Sequence, residues 1–209
     1  MPELSLGVLV SGTGTNLKAI LDAIAEGRLD AAVRVVVSNK PDVLALERAR
    51  AHDVPAITIS HKSYPTRDAF DAALVSTLRE HGVEWVVLAG FMRLLTPTML
   101  DGFKNRIINI HPSLLPAFPG VDAQRQAFDY GVKVTGCTVH LVDEGTDTGP
   151  ILMQRAVPVL ESDDRETLRA RILAEEHALL VDALRAISLG KLEVQGGPTG
   201  RARIRLGAG

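Results

Sequence analysis

Three short stretches of this chain gather residue types that can do chemistry. The segment Asn109-Ile-His-Pro-Ser-Leu-Leu-Pro116 sets a carboxamide and an imidazole two residues apart. If a strand runs through them, Asn109 and His111 project from the same side. Histidine is the side chain whose charge changes near neutral pH, and a side-chain amide can donate to a developing oxyanion. Pro112, Pro116 and Pro119 stiffen the following loop, so less entropy is lost in ordering it. A histidine satisfied by backbone alone is the competing reading, and for an isolated Asn-x-His it would prevail. The rigid polar surroundings favour a site.

The second stretch is the turn Ser11-Gly-Thr-Gly-Thr-Asn16. Its glycines let the backbone approach a ligand, and a helix opening after it offers unpaired N–H groups and partial positive charge to a phosphate. Thr13, Thr15 and Asn16 add side-chain donors. The turn is neither a dinucleotide fingerprint, since Leu17 stands where the third glycine belongs, nor a Walker A loop, since no Gly-Lys-Ser/Thr follows. An ordinary N-cap at Thr15 or Asn16 is the plainer alternative.

The third is the Gly-bracketed acidic loop Val142-Asp-Glu-Gly-Thr-Asp-Thr-Gly-Pro150. Asp143, Glu144 and Asp147 offer a carboxylate partner for a histidine, a metal loop or a solvated turn; the EF-hand spacing is missing. A weaker candidate, Gly90-Phe-Met-Arg-Leu-Leu95, could line an apolar pocket with one guanidinium at its mouth. Glu175-Glu176-His177 reads as an exposed charged face of the last helix, and His140 as core or pocket. Cys137 reads as a small buried residue, and no His/Cys spacing supports zinc.

These stretches need a scaffold, and the chain alternates apolar strands with amphipathic helices. Strands are predicted over residues 6–10, 33–37, 56–59, 83–89, 107–110, 133–142 and 151–159, and helices over 16–26, 41–51, 66–81 and 165–189. Leu17, Ile20, Leu21 and Ile24 repeat at helical spacing, and the valines of 33–37 suit a strand buried on both faces. Successive strand–helix–strand units force parallel strands, so the fold class is α/β with a doubly wound sheet. The three polar stretches then follow strand ends, where open α/β sheets place ligands.

The chain has 209 residues, 23 Lys+Arg against 25 Asp+Glu, and a formal charge of −2. Nothing in that balance draws it to nucleic acid or an anionic membrane. Its single cysteine excludes an internal disulfide and fits a reducing compartment. The first residues lack a basic n-region and no apolar run approaches the ~20 residues of a membrane span, so a cytoplasmic location is expected.

The combination of SGTGTNLKAI, AGFMRLL, NIHPSLLPAFPG and DEGTDTGPIL resembles the glycinamide ribonucleotide transformylases among the folate-dependent formyltransferases, from Leu6 to about Glu176. The resemblance implies a three-layer α/β/α sandwich with a mostly parallel seven-stranded sheet. It implies formyl transfer from 10-formyltetrahydrofolate, a co-substrate, to the amino group of glycinamide ribonucleotide, without a metal. It puts the nucleotide phosphate at Gly14, Thr15 and Asn16, with Glu176 also touching that substrate. It makes Asn109, His111 and Asp147 catalytic, with Asp147 favouring a cationic imidazole. It assigns the folate to Arg67, Met92, Arg93, Leu94, Leu95, His140, Asp143 and Glu144, and expects a cis bond before Pro116. Residues 1–190 would be the catalytic domain and 191–209 a tail with a possible hairpin about Gly196-Gly197-Pro198. The two substrates are the expected partners, with neither nucleic acid nor membrane, and a homodimer is compatible. Enzymes acting on methionyl-tRNA are disfavoured, because this chain has no basic patch and no room for an RNA-binding domain.

Overall fold

The computed structural model describes residues 3–196 and 202–207. The chain divides into two compact units, Met1–Asn109 and Ile110–Gly209. The first contains β1 (Leu4–Val10), α1 (Thr15–Ala25), β2 (Ala31–Ser38), α2 (Leu44–Arg50), β3 (Ala56–Thr58), α3 (Arg67–Glu80), β4 (Trp85–Leu88) and α4 (Pro97–Gly102). Strand β5 (Ile107–His111) runs across the division. The second contains α5 (Ala123–Tyr130), β6 (Val134–Leu141), β7 (Ile151–Pro158), α6 (Arg165–Ser188), β8 (Leu192–Gly196) and β9 (Ala202–Leu206). The fold is α/β, with a mostly parallel sheet ordered β3-β2-β1-β4-β5-β6-β7.

In the first unit β1 is buried along its whole length and pairs in parallel with β2 on one side and β4 on the other. The strand order therefore reverses direction at β1, whose carboxyl end leads into the Gly-rich turn, as doubly wound sheets place ligand crevices. Val35, Val36 and Val37 of β2 are fully buried, as the valine run predicts, but Arg34 is exposed and donates to Ser5 and Glu3. Thr66 caps α3, its hydroxyl accepting from Ala69 N at 3.1 Å, an arrangement worth ~1 kcal/mol. Phe70, Leu74 and Leu78 form that helix's buried face.

Several boundaries differ from the periodicity. Helix α2 starts at Leu44 rather than Pro41, because Asp42 adopts φ 51° and Val43 is extended. Helix α4 is too short for a periodic signal, although Thr96 followed by Pro97 at its first turn is a legible start. Helix α5 buries only alanines 123 and 127, with Phe128 half-buried and Tyr130 exposed, so its eight residues show no run of large apolar residues at helical spacing.

In the second unit β6 and β7 pair antiparallel. Helix α6 opens on a capping box, in which Asp164 accepts from Thr167 N at 2.8 Å and Asp164 N donates to Thr167 Oγ1 at 2.9 Å. Arg155 of β7 ties the strand to this helix through Glu175 at 3.0 Å and Asp182 at 2.8 Å. Leu168, Ile172, Leu179 and Leu180 lie on the buried face of α6. Strands β8 and β9 pair antiparallel in a separate two-stranded sheet, and Gly197 and Pro198, where the turn is expected, lie outside the described residues.

Gly14 carries a requirement that no other residue meets. Its φ is 70°, and an added Cβ would come within 2.6 Å of Ala45 Cβ and 2.8 Å of Ala45 Cα at the start of α2. Gly27 has nearly the same φ, 69°, but open space around it. Gly14→Ala is therefore expected to lower stability by more than Gly27→Ala, which incurs only the backbone term of about 1–3 kcal/mol. Urea midpoints of the two variants decide this, and equal losses would show that the Ala45 contact is immaterial.

Candidate functional site

In the second unit, a histidine and a carboxylate meet. His111, at the end of β5, is only 4% exposed. Its Nδ1 lies 3.3 Å from Asp147 Oδ2, and its Nε2 lies 2.8 Å from the Phe118 carbonyl oxygen. A carbonyl only accepts, so Nε2 carries a proton and Nδ1 is the position that faces Asp147. Asp147 Oδ2 also accepts from Gly120 N at 2.7 Å, and its Oδ1 lies 3.6 Å from His140 Nε2. His140 repeats the construction, donating through Nδ1 to the Leu141 carbonyl at 2.8 Å. One carboxylate thus sits between two imidazoles whose far nitrogens are fixed by main chain.

The electrostatics follow from burial. Desolvation holds the His111 imidazole below its ordinary 6.5; the Phe118 carbonyl and Asp147 pull upward, while His140 adds to the lowering. The carboxylate favours the imidazolium, as the resemblance implies, but burial outweighs it. For Asp147, burial pushes upward, yet the adjacent His140 ring, the Gly120 N–H and the His111 imidazole together keep it below 3.8. A neutral base therefore stands against an ionised carboxylate, ready to hold a proton between them.

The backbone is shaped for this. Phe118 and Asp147, which grip the two ends of the His111 ring, adopt φ of 52° and 55°. Left-handed non-glycine residues cost roughly 1–3 kcal/mol each and gather at functional sites. The loop after His111 is pinned by Ser113 Oγ donating to Ala117 O at 2.5 Å and by Thr138 Oγ1 accepting from Leu115 N at 3.1 Å. The Leu115–Pro116 bond is cis. At the acidic loop, Asp143 Oδ1 accepts from Gly145 N at 3.1 Å and Thr148 Oγ1 at 2.6 Å, while Glu144 is exposed. A Cβ on Gly149 would strike the Leu141 carbonyl, so only glycine lets this loop close onto the end of β6. Phe118 and Gly120 act through main chain only and leave no residue-type signal; the prolines and glycine around them are the trace of the loop they belong to.

Glu176 corrects the reading of an exposed charged face. It is 5% exposed, and burial pushes its carboxyl up to about 8, with Arg169 pulling weakly down. Its neighbour Glu175 instead pairs with Arg155. Cys137, fully buried, is pushed up to about 12 by burial and by Glu176, and is inert at neutral pH. Below its unfolded pKa of 4.5 Glu176 is protonated in both states; between 4.5 and about 8 only the folded protein keeps the proton. Stability that is full below 4.5 is therefore lost as pH rises through about 8, at roughly 1 kcal/mol per pH unit. Glu176→Gln has no such proton, so its stability relative to the parent is expected to rise across that window. Chemical denaturation at a series of pH values checks this, and parallel curves would contradict it.

In the first unit, Gly14 ends the turn as the N-cap of α1 without a side-chain cap bond, leaving the first-turn N–H groups to other acceptors. Thr15 is half-buried; Asn16 is buried, and its Oδ1 has no hydrogen-bond partner. Such an oxygen is what a ligand hydroxyl would satisfy. Asn109 precedes His111 by two positions on β5 and is in register with Leu88 of β4. The segment between β4 and α4 is held by exposed Arg67, which donates to Leu94 O at 2.7 Å, and by buried Asp71, which accepts from Thr96 N at 2.6 Å. Arg93 lies over the Phe70 ring at 5.4 Å, within cation–π range. Met92 and Leu94 are exposed, and Leu95 is half-buried. Among the described residues no group of three or more His, Cys, Asp and Glu is placed to hold a metal ion, and no helix is long and apolar enough to cross a membrane.

Comparison with known proteins gives this arrangement a lineage. The phosphoribosylglycinamide formyltransferase of Bacillus subtilis is 49% identical over 170 residues, 81% of this chain and 87% of that protein. The trifunctional purine biosynthetic protein adenosine-3 of Drosophila pseudoobscura is 47% identical over 193 residues, and the chain spans only 14% of its length. The crystal structure of glycinamide ribonucleotide transformylase 1 from Symbiobacterium toebii superposes with a TM-score of 0.94 at 53% identity, covering 99% of this chain and 95% of that one. The formyl transferase family model matches residues 5–184, which takes in β1 through most of α6 and every residue of the two sites above. The chain belongs to the formyl transferase family.

Proposed function

We propose that this chain moves a formyl group from 10-formyltetrahydrofolate to the amino group of glycinamide ribonucleotide, a step of purine synthesis. The family match and the names of the relatives support the reaction. The observation that carries the chemistry is the neutral, oriented His111 standing 3.3 Å from an ionised Asp147. Attack of an amine on a formyl carbon gives a tetrahedral intermediate bearing an oxyanion and an amine that must lose a proton. In this reading Asn109 donates to the oxyanion. His111, backed by Asp147, takes the proton and returns it to the departing folate nitrogen. Proton uptake turns an imidazole facing a carboxylate into an ion pair, which lowers the cost of the intermediate.

The remaining roles belong to the same reading. Gly14, Thr15 and Asn16 receive the nucleotide phosphate, and Glu176 also touches that substrate. The folate is held by Arg67, Met92, Arg93, Leu94, Leu95, His140, Asp143 and Glu144. The activity resides in residues 1–190, consistent with the extent of the family match, and 191–209 is a tail. The two substrates are the partners, with neither nucleic acid nor membrane, in the cytoplasm. A homodimer is the assembly for sedimentation to check. The deciding assay offers 10-formyltetrahydrofolate with glycinamide ribonucleotide, and with methionyl-tRNA as control acceptor. Formylation of the ribonucleotide alone is the expected result; transfer to the tRNA, or to neither, rejects the proposal.

A further inference from the structure

Ser11 stands immediately after β1 and is 6% exposed. Its hydroxyl donates to Asn39 Oδ1 at 2.6 Å and accepts from Met92 N at 3.0 Å. Asn39, 4% exposed, follows β2, and Met92 follows β4. These strands flank β1 in parallel, so one hydroxyl ties three neighbouring strand ends together at the edge where the sheet reverses order. A hydroxyl has one proton and two lone pairs, and here it serves in both senses. An alanine would leave Met92 N without this acceptor and a buried Asn39 oxygen without this donor.

The two segments joined by this bond are those that the proposed function gives to different substrates. On one side is the turn ending at Gly14, whose Gly12 carbonyl accepts from Ala45 N at 3.2 Å and whose Thr13 carbonyl accepts from Arg48 Nε at 3.0 Å. On the other is the stretch 89–96, which has no regular structure and hangs on Ser11, Arg67 and Asp71 through its Met92, Leu94 and Thr96 main chain. A ligand that steadies one segment holds the hydroxyl, and the hydroxyl holds the other segment. Ordering cost met by the first ligand is then spared to the second.

We propose that Ser11 is a positioning residue that couples nucleotide binding to folate binding. The inference rests on the substrate assignment above. Its test is calorimetric titration of tetrahydrofolate into the protein with and without glycinamide ribonucleotide, a pair that cannot react because no formyl group is present. The ribonucleotide is expected to tighten tetrahydrofolate at least about fivefold in the parent, and less than about twofold in Ser11→Ala, with Ser11→Thr restoring the ratio. A merely structural role would weaken both ligands in parallel and leave the ratio unchanged; that result, or a parent ratio of one, overturns the proposal. If Ser11→Ala does not fold by circular dichroism, Asn39→Ala, which removes the acceptor of the Ser11 proton, is read by the same criterion. Failure of the parent to bind either ligand rejects the substrate assignment, and this inference with it. Binding of both ligands without coupling rejects the inference alone.

Discussion

Asn109→Ala is expected to lower kcat by about 10²–10³ while leaving the KM for the ribonucleotide within a few-fold of the parent. Under the proposed function the loss falls on kcat, because a carboxamide that donates to the oxyanion contributes most when the charge exists, in the intermediate and not in the bound substrate. Asn109 sits on β5 beside Leu88 of β4, an interior position of a paired strand, so truncating it removes a donor without unpairing the ladder. Steady-state kinetics with both substrates varied separate the two effects. Near-normal turnover in the variant would take Asn109 out of the mechanism.

His111→Ala is expected to cost about 10²–10⁴ in turnover, the range for a positioned acid–base group, with nucleotide binding nearly intact. The pH profile gives the sharper test. The His111 imidazole lies below 6.5 because it is buried, and in the proposed role it serves as a base only when neutral. Rate should therefore fall on the acid side as pH drops through a midpoint below 6.5, and be level above it until another group intervenes. Asp147, held below 3.8, stays ionised throughout that range. Asp147 pulls the His111 value upward, so Asp147→Asn should move the acid limb to still lower pH as well as depress the maximum. An acid limb above 6.5, or one that Asp147→Asn leaves in place, would mean that the titrating group is not this imidazole.

The two carboxylates of the second unit show how environment assigns their roles. Asp147 is half-buried but faces donors, and it ionises readily; Glu176 is buried and keeps its proton to about 8. The same side-chain chemistry thus supplies a permanent anion at one place and, at neutral pH, a neutral hydrogen-bond donor at the other.

Much of the scaffold could be read along the chain. The valine run of β2 and the spaced Leu17, Ile20 and Leu21 of α1 are local signals, because burying a face demands a period. The short elements α4 and α5, and the delayed start of α2 behind a left-handed Asp42, escaped that reading because their form is settled by neighbours and not by their own periodicity. At the sites, residue types and the strand-end rule already pointed to Asn109, His111 and the turn at Gly14, and to Asp143, Glu144 and Asp147 without choosing among them; the family resemblance chose Asp147. Residues 111 and 147 are far apart in the chain, and only the folded loops bring them to 3.3 Å and add His140, the Phe118 carbonyl and the Gly120 N–H. Burial likewise exists only in three dimensions. It turned Glu176 from a surface charge into a protonated acid and set His111 below its ordinary pKa, because desolvation depends on what surrounds a group and not on what precedes it in the chain.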